Sequence, residues 1–226
     1  MTNERRRQLW GFVLIIFITS YLSILTSSCT TDAYEKGEGE LSLIRAELVE
    51  AHINSDQLLD WCITDEGEEL TMKEPYKLNG TAHGDTIYRA LLYYNKVDGK
   101  AEVVSAGIVN SLVPHRIKDM KTDPVNLESI WLSTSRRYLN AGLYLKTGEK
   151  QSKDQYHIIG INLDTLIHND DGTHTAHLCL YHDQGGLPEY YSQRTYFSIP
   201  ADSVDADSIY LRVHTYQGIT EKCFKK

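Results

Sequence analysis

The segment Ser208-Ile-Tyr-Leu-Arg-Val-His-Thr-Tyr216 alternates aliphatic residues with polar or aromatic ones along its length. Ile209, Leu211 and Val213 share one face of an extended chain, because successive side chains of a strand point to opposite sides. The pattern predicts a half-buried strand with an inward aliphatic row. The same period of two recurs along the chain after residue 40, whereas helical periodicity is scarce there.

Seven further segments carry strand-like patterns: Glu40–His52, Gln57–Thr64, Asp85–Val97, Ala101–Val109, Tyr138–Lys146, His157–Leu163 and Ala176–His182. Turn signals separate such segments: Asp98-Gly99, Lys146-Thr147-Gly148, Asp171-Gly172, Gln184-Gly185-Gly186 and Gln217-Gly218. Short strands at this spacing predict an all-β protein of sandwich or barrel architecture. A helix at Ser42–Glu50 is the alternative at the first segment. Thr71–Tyr76 is polar, and Pro75 is expected to begin the next strand.

A proline-bearing stretch divides the chain near its middle. The stretch from Val113 to Val125 holds Pro114, Pro124 and three bases, and has little apolar content. Residues 35–112 carry seven bases and fifteen acids, whereas residues 113–226 carry thirteen and fourteen. We therefore predict two β-domains, at residues 40–112 and 113–226, joined by a linker or a long crossing loop.

The amino-terminal residues have the parts of an export signal. Arg5-Arg6-Arg7 precedes the uncharged 17-residue stretch Leu9–Leu25, and small residues lead into Cys29. A cysteine at the cleavage point predicts a lipoprotein signal peptide at residues 1–28, with acyl chains on Cys29. Thr26 stands where a lipoprotein signal usually has Leu. An uncleaved membrane anchor is therefore the alternative, since 17 apolar residues are just long enough to span a bilayer.

Both alternatives place the rest of the chain outside the cytoplasm and attached to a membrane. Residues 29–39 are polar and acidic and predict a flexible tether. No Asp follows Cys29, so we expect the outer membrane, on its periplasmic or its surface face.

The charge balance argues against a nucleic-acid partner. The chain has 23 bases and 31 acids. Without Arg5–Arg7 and Glu4 of the signal peptide, 20 bases and 30 acids remain, which gives a net charge of -10. Affinity for nucleic acids comes mostly from lysine and arginine contacts to phosphates.

The reactive side chains form no recognisable catalytic or metal motif. H-E-x-x-H, G-x-S-x-G, Walker and Rossmann patterns are missing from the sequence, and we expect no cofactor and no metal. Strand alternation places His177 on one face and His174 and His182 on the other, which predicts surface or half-buried histidines rather than ligands. Beyond Cys29 three cysteines remain, an odd number, and a disulfide between Cys179 and Cys223 stays open.

The sequence resembles the NigD-like lipoproteins of Gram-negative anaerobes, a family named from a bacteriocin-associated operon. The residues that carry the resemblance are Cys29 with its leader, Asn126–Ser133, Arg137–Asn140, Leu180–Asp183, Pro188–Ser192, Ser198–Pro200 and Leu211–Tyr216. The resemblance implies a small OB-like barrel followed by an immunoglobulin-like β-sandwich. It implies no catalytic residues, because the family has no established function.

Two hypotheses on function from different classes follow. The first is a non-enzymatic binding or assembly module of the cell envelope, for an envelope protein or glycan, with Tyr190, Tyr191 and Tyr196 as the candidate surface. Those tyrosines could instead only fill sheet faces, for which tyrosine has a preference. The second is a secreted glycan-binding protein or hydrolase of the cell surface.

Aromatic residues of the first domain offer a possible glycan platform. They are Trp61, Tyr88, Tyr93 and Tyr94. In the second domain, Ile130 and Leu132 share one strand face and Trp131 takes the other. We expect Trp131 to be structural and covered by an opposing sheet or by the linker.

Overall fold

A computed structural model describes residues 43–226 of the 226-residue chain. The predicted signal peptide at 1–28, the lipidation site Cys29, the tether and the first residues of the segment from Glu40 lie outside the described residues. The described part is all-β, and no helix in it is long and apolar enough to cross a bilayer. The strands are β1 Arg45–Ile53, β2 Leu59–Thr64, β3 Glu69–Tyr76, β4 Thr86–Val97, β5 Lys100–Ile108, β6 Asn110–Ser111, β7 Asn126–Leu132, β8 Tyr138–Thr147, β9 Ile158–His168, β10 His174–Asp183, β11 Tyr191–Pro200, β12 Ser208–Thr215 and β13 Gly218–Lys225.

The first five strands close into a small OB-like barrel in the order β1-β2-β3-β5-β4. Alternation on β1 points Val49, Ala51 and Ile53 into the barrel, where all three are fully buried. Asp98 and Gly99 both have positive φ and join β4 to β5 in a tight hairpin, which confirms the turn predicted there.

The later strands form an immunoglobulin-like sandwich of two four-stranded sheets. One sheet has the order β13-β12-β10-β9, and the other has the order β6-β11-β8-β7. The alternating row predicted on Ser208–Tyr216 is confirmed, because Ile209, Leu211 and Val213 are fully buried between the sheets. The all-β fold of barrel and sandwich is therefore as the sequence predicts.

The proline-bearing stretch crosses the sandwich without a regular strand. Isolated bridges fix it at His115 to Asn162, at Thr122 to His182 and at Val125 to Thr215. The last barrel strand ends at Ile108 and the first sandwich strand begins at Asn110, while residues 43–226 form one compact unit. The predicted division at residue 112 into two domains that fold separately stays a prediction.

The structure tests three local expectations. The strand predicted at the first segment is confirmed over its helical alternative, because the chain enters β1 at Arg45. Pro75 lies near the end of β3 and does not begin the next strand. Cys179 and Cys223 are free thiols, because β12 lies between their strands in the sheet.

Candidate functional site

A buried polar cluster connects the barrel to the sandwich. The Arg89 side chain, on β4, is 2% exposed and donates from Nη2 to Asp65 Oδ1 at 2.6 Å. Its Nε donates to Ser198 Oγ at 3.0 Å, and Asn140 Nδ2 donates to Asp65 Oδ2 at 2.7 Å. Asp65 belongs to the β2–β3 turn, whereas Asn140 and Ser198 belong to the sandwich. The cluster fixes the orientation of the barrel, because a buried charge is tolerated only while its partners stay in place.

A second set of contacts continues this interface. Tyr138 Oη donates to Glu50 Oε1 at 2.7 Å, and its ring lies 4.0 Å beneath the Arg89 guanidinium. Arg137 contacts the other oxygen of Glu50 at 2.5 Å. Burial, followed by the hydrogen bond to Glu50, raises the pKa of Tyr138 to about 12. The phenol therefore stays a proton donor to Glu50 over the physiological pH range.

Beside this interface lies a cleft of about 460 Å³ between barrel and sandwich. The barrel lines it with Leu91 and Tyr93 of β4, and the sandwich lines it with Trp131 and Tyr196. Tyr93, Trp131 and Tyr196 are all half-buried, so part of each ring remains accessible. Three rigid aromatic rings, one from the barrel and two from the sandwich, thus surround one opening.

The floor of the cleft is the outer face of the β11-β8-β7 sheet. A methyl group at Gly142 would lie 3.1 Å from Tyr196 Cε1 and 2.9 Å from Glu128 Oε2. A glycine here therefore lets the Tyr196 ring and the Glu128 carboxylate lie against the β8 backbone. Burial raises the pKa of Tyr196, and the guanidinium of Arg194 opposes that shift.

Acids outnumber bases among the residues that line the cleft. The acids are Glu47, Asp65 and Glu66, and the base is Arg194. Arg194 is itself paired with Glu128 through two hydrogen bonds of 2.7 and 2.5 Å. The lining therefore has a negative balance, which agrees with the acidic first half of the chain.

The structure does not bring the three predicted tyrosines together. Tyr196 lines the cleft, whereas Tyr190 precedes β11 and Tyr191 begins it, and these two are 79% and 59% exposed. The register of β11 with β8 is unbroken, so Tyr191 and Tyr196 point to opposite faces of the sheet. Sequence reasoning did not assign Arg194 to a site, and it assigned Trp131 a structural role. The face of Trp131 is confirmed as opposite to Ile130, and that face borders the cleft that Leu91 and Tyr93 of the barrel also line.

The four aromatic residues considered for a glycan platform also separate. Tyr94 is fully buried inside the barrel, and Tyr93 belongs to the cleft. Tyr88 Oη accepts hydrogen bonds from the backbone amides of Ala82 and His83 at 3.0 Å each. Trp61 alone borders an open depression on the barrel, with its ring stacked 4.7 Å from His52.

The histidines pair with each other and with the backbone. His182 is 1% exposed, whereas a surface or half-buried position was expected for it. Its Nδ1 lies 2.8 Å from the Asp123 carbonyl, and its Nε2 lies 3.0 Å from His157 Nδ1. No group of three or more His, Cys, Asp or Glu side chains within residues 43–226 is arranged to hold a metal ion.

The fold defines a class of protein in which a small closed barrel is docked to a two-sheet sandwich. A cleft lies where the two meet. The family model of the NigD-like C-terminal beta sandwich domain matches residues 107–225. The chain belongs to the NigD-like family.

Solved structures match over both halves. A NigD-like immunity protein from Bacteroides caccae aligns with a TM-score of 0.63 and 28% identity, over 79% of this chain and 91% of that one. A toxin-related protein from Parabacteroides distasonis aligns with a TM-score of 0.59 and 15% identity, over 81% and 93%. A protein of unknown function from Bacteroides vulgatus aligns with a TM-score of 0.60 and 15% identity, over 81% and 90%. At 15% identity the last two show the fold alone. A search of curated proteins gives no match.

Proposed function

We propose that this chain is a non-enzymatic lipoprotein of the cell envelope that binds a polypeptide partner in the cleft between barrel and sandwich. The observation that carries the proposal is the convergence of Tyr93, Trp131 and Tyr196 on one opening. Aromatic side chains dominate the binding energy of protein interfaces, because they bury a large area at little cost in conformational entropy.

The names of the similar structures support a polypeptide as the partner. The relative from Bacteroides caccae is an immunity protein, and the fold relative from Parabacteroides distasonis is toxin-related. A protein that gives immunity by binding a toxin needs a surface for a polypeptide and no catalytic site. A toxin-type polypeptide is therefore the partner that we propose.

Site-specific photo-crosslinking in living cells tests the cleft. A photoreactive residue at Tyr93 is expected to give a discrete adduct with one polypeptide, since that side chain lines the cleft. The same residue at Tyr190 is the control, because Tyr190 is exposed but lies outside the cleft. An identical set of adducts from both positions would count against the cleft as the binding site.

The membrane anchor is part of the proposal. Two or three acyl chains on Cys29 exceed what stable membrane attachment requires. We expect the wild-type chain to incorporate a palmitate analogue and to fractionate with the outer membrane, and Cys29→Ala to do neither. Tight membrane association of the Cys29→Ala chain would favour an uncleaved Leu9–Leu25 anchor instead.

Glycan binding on the barrel is the second candidate function, and Trp61 is the observation that favours it. The ring is half-buried, is backed by His52, and faces a depression that Glu69 and Thr71 also line. A flat indole beside carboxylate and hydroxyl groups suits a neutral sugar ring. Titration with cellohexaose and maltohexaose is expected to shift the tryptophan emission of the wild type but not of Trp61→Phe. No shift with either sugar would argue against it.

A further inference from the structure

One edge of the sheet beneath the cleft is open. Strand β11 has β8 on one side, and on the other side it has only the two-residue strand β6, which pairs with Phe197 and Ser198. Within residues 43–226 the opposite edge of β11 from Tyr191 to Tyr196 has no neighbouring strand. Unpaired strand edges are templates for pairing with another chain.

The direction of the main-chain groups on this edge follows from two hydrogen bonds. The carbonyl of Ser198 accepts from the Leu112 amide, so it points away from β8. The amide of Ala201 donates to the Arg137 carbonyl, so it points toward the β8 side. Because the polar groups of alternate residues point the same way, Ser192, Arg194 and Tyr196 also direct their N–H and C=O groups away from β8.

The edge and the cleft share side chains. Arg194 and Tyr196 belong to the outer face of β11 and line the cleft, so an added strand would place alternate side chains beside them. We infer that β11 binds an extended polypeptide segment by strand addition at Ser192–Tyr196, with alternate apolar or basic side chains entering the aromatic cleft. This inference rests on the proposed function and specifies how the same site recognises its partner.

The chemistry of the edge favours a foreign segment over a second copy of this chain. Residues 191–196 read Tyr-Ser-Gln-Arg-Thr-Tyr, with no proline or lysine to block pairing. A symmetric antiparallel pairing centred on the proposed segment Ser192–Tyr196 would place Arg194 opposite Arg194, and like charges directly opposite are destabilising. The acidic balance of the cleft likewise favours basic or apolar side chains over acidic ones.

A peptide selection with matched variants tests the inference. Random twelve-residue peptides displayed on phage are selected against the detergent-solubilised full chain, and a selected sequence is synthesised for Kd measurements. Ser192→Pro removes one outward N–H that the β11–β8 ladder does not use, and it is expected to raise the Kd at least about tenfold. Ser192→Ala changes only the side chain and is expected to leave the Kd within about twofold.

The peptide supplies a second measurement that leaves the protein untouched. N-methylation at successive positions of the selected peptide is expected to weaken binding at every second residue, because alternate amides of an added strand face its neighbour. Insensitivity to N-methylation, with binding still lost in Trp131→Ala, would overturn strand addition and leave the proposed cleft intact. Dimerisation of the chain that Ser192→Pro abolishes, or failure to select any peptide, would also overturn the inference.

Discussion

Single residues at the interface between barrel and sandwich carry more stability than those on the surface. Arg89 is enclosed by Asp65, Asn140 and Ser198, so removing it leaves a carboxylate without its cation in a nearly dry site. Arg194 has equally short contacts to Glu128, but its side chain is half exposed to water. The Arg89–Asp65 and Arg194–Glu128 ion pairs therefore differ in burial and not in hydrogen-bond length.

We expect Arg89→Ala to lower the free energy of unfolding by about 3–5 kcal/mol, the usual cost of breaking a buried ion pair. Arg194→Ala should lower it far less, because exposed ion pairs are screened by solvent. Urea titrations followed by circular dichroism measure both. Equal losses for the two variants would show that the Arg89 cluster is not closed to water.

The contact between His157 and His182 predicts a dependence of stability on pH. Burial, followed by the nearby charge of His182, lowers the pKa of His157, and a hydrogen bond to the Lys146 carbonyl opposes the shift. A histidine with a lowered folded-state pKa stabilises the fold above its unfolded pKa of about 6.5, and the contribution is lost as the pH falls below that value.

The expected result is therefore a fall in melting temperature between pH 7 and pH 5.5 in the wild type. His157→Gln keeps a donor for His182 but does not titrate. The melting temperature of this variant should therefore fall less than that of the wild type over the same pH range. The exposed His83 provides the control, and His83→Gln should follow the wild type. A His157→Gln profile parallel to the wild type would contradict the assignment.

Among the elements, the strands could be predicted from the sequence. What packs against the outer faces of those strands could not. Alternation correctly assigned the inward row of β12, because side-chain period is a local property of the chain. It also placed Trp131 on the face opposite Ile130. It could not show that this face borders a cleft shared with the barrel, since the packing of barrel on sandwich leaves no local period.

For the candidate site, too, the sequence predicted local features but not which distant residues come together. Tyr190, Tyr191 and Tyr196 are close in sequence, but an odd offset of five puts Tyr191 and Tyr196 on opposite faces of a strand. The residues that do converge, such as Tyr93 and Tyr196, are distant in sequence. The polar strand β3 was missed as a whole because its outward residues are charged and only Leu70 and Met72 are buried.

The turn after β10 permits a further prediction. Gly185 has a φ of 62°, and an added Cβ would lie 2.3 Å from the Tyr156 carbonyl oxygen. Gly172, in the β9–β10 turn, has a φ of 84° but open space around it. We expect Gly172→Ala to cost about 1 kcal/mol from backbone strain alone.

Gly185→Ala should cost at least about 2 kcal/mol more, because the Tyr156 backbone must also move. Thermal melting of the two variants side by side measures the difference. Similar melting temperatures would mean that the segment around Tyr156 adapts without loss.

At the scale of the whole molecule, barrel and sandwich each have a core of their own and share a polar interface. The sandwich core includes Leu139, Ile161 and Phe197, all fully buried in a cluster that contains no barrel residue. The interface, in contrast, holds charged groups that water could solvate if the barrel were absent. A sandwich alone would therefore lose fixed contacts without exposing its apolar core.

We expect a fragment of residues 107–226 to remain β-rich and to unfold cooperatively, at a lower temperature than the whole chain. The sandwich in the intact chain gains the Arg89 cluster, which the fragment lacks. Far-ultraviolet circular dichroism and a thermal melt provide the test. A fragment with a disordered spectrum would show that the sandwich depends on the barrel to fold.

The position of β1 determines how the molecule bears mechanical load. Strands β1 and β5 both run antiparallel to β4 and hence parallel to each other, and nine residue pairs join β1 to β4. A pull on the residues before Arg45, resisted by a partner held at the sandwich beyond Ile108, acts along the strand axes. The β1–β4 hydrogen bonds are then strained together in shear instead of opening one after another. A chain attached to a bilayer at its amino end would thus bear a load on its bound partner through all of the β1–β4 hydrogen bonds at once.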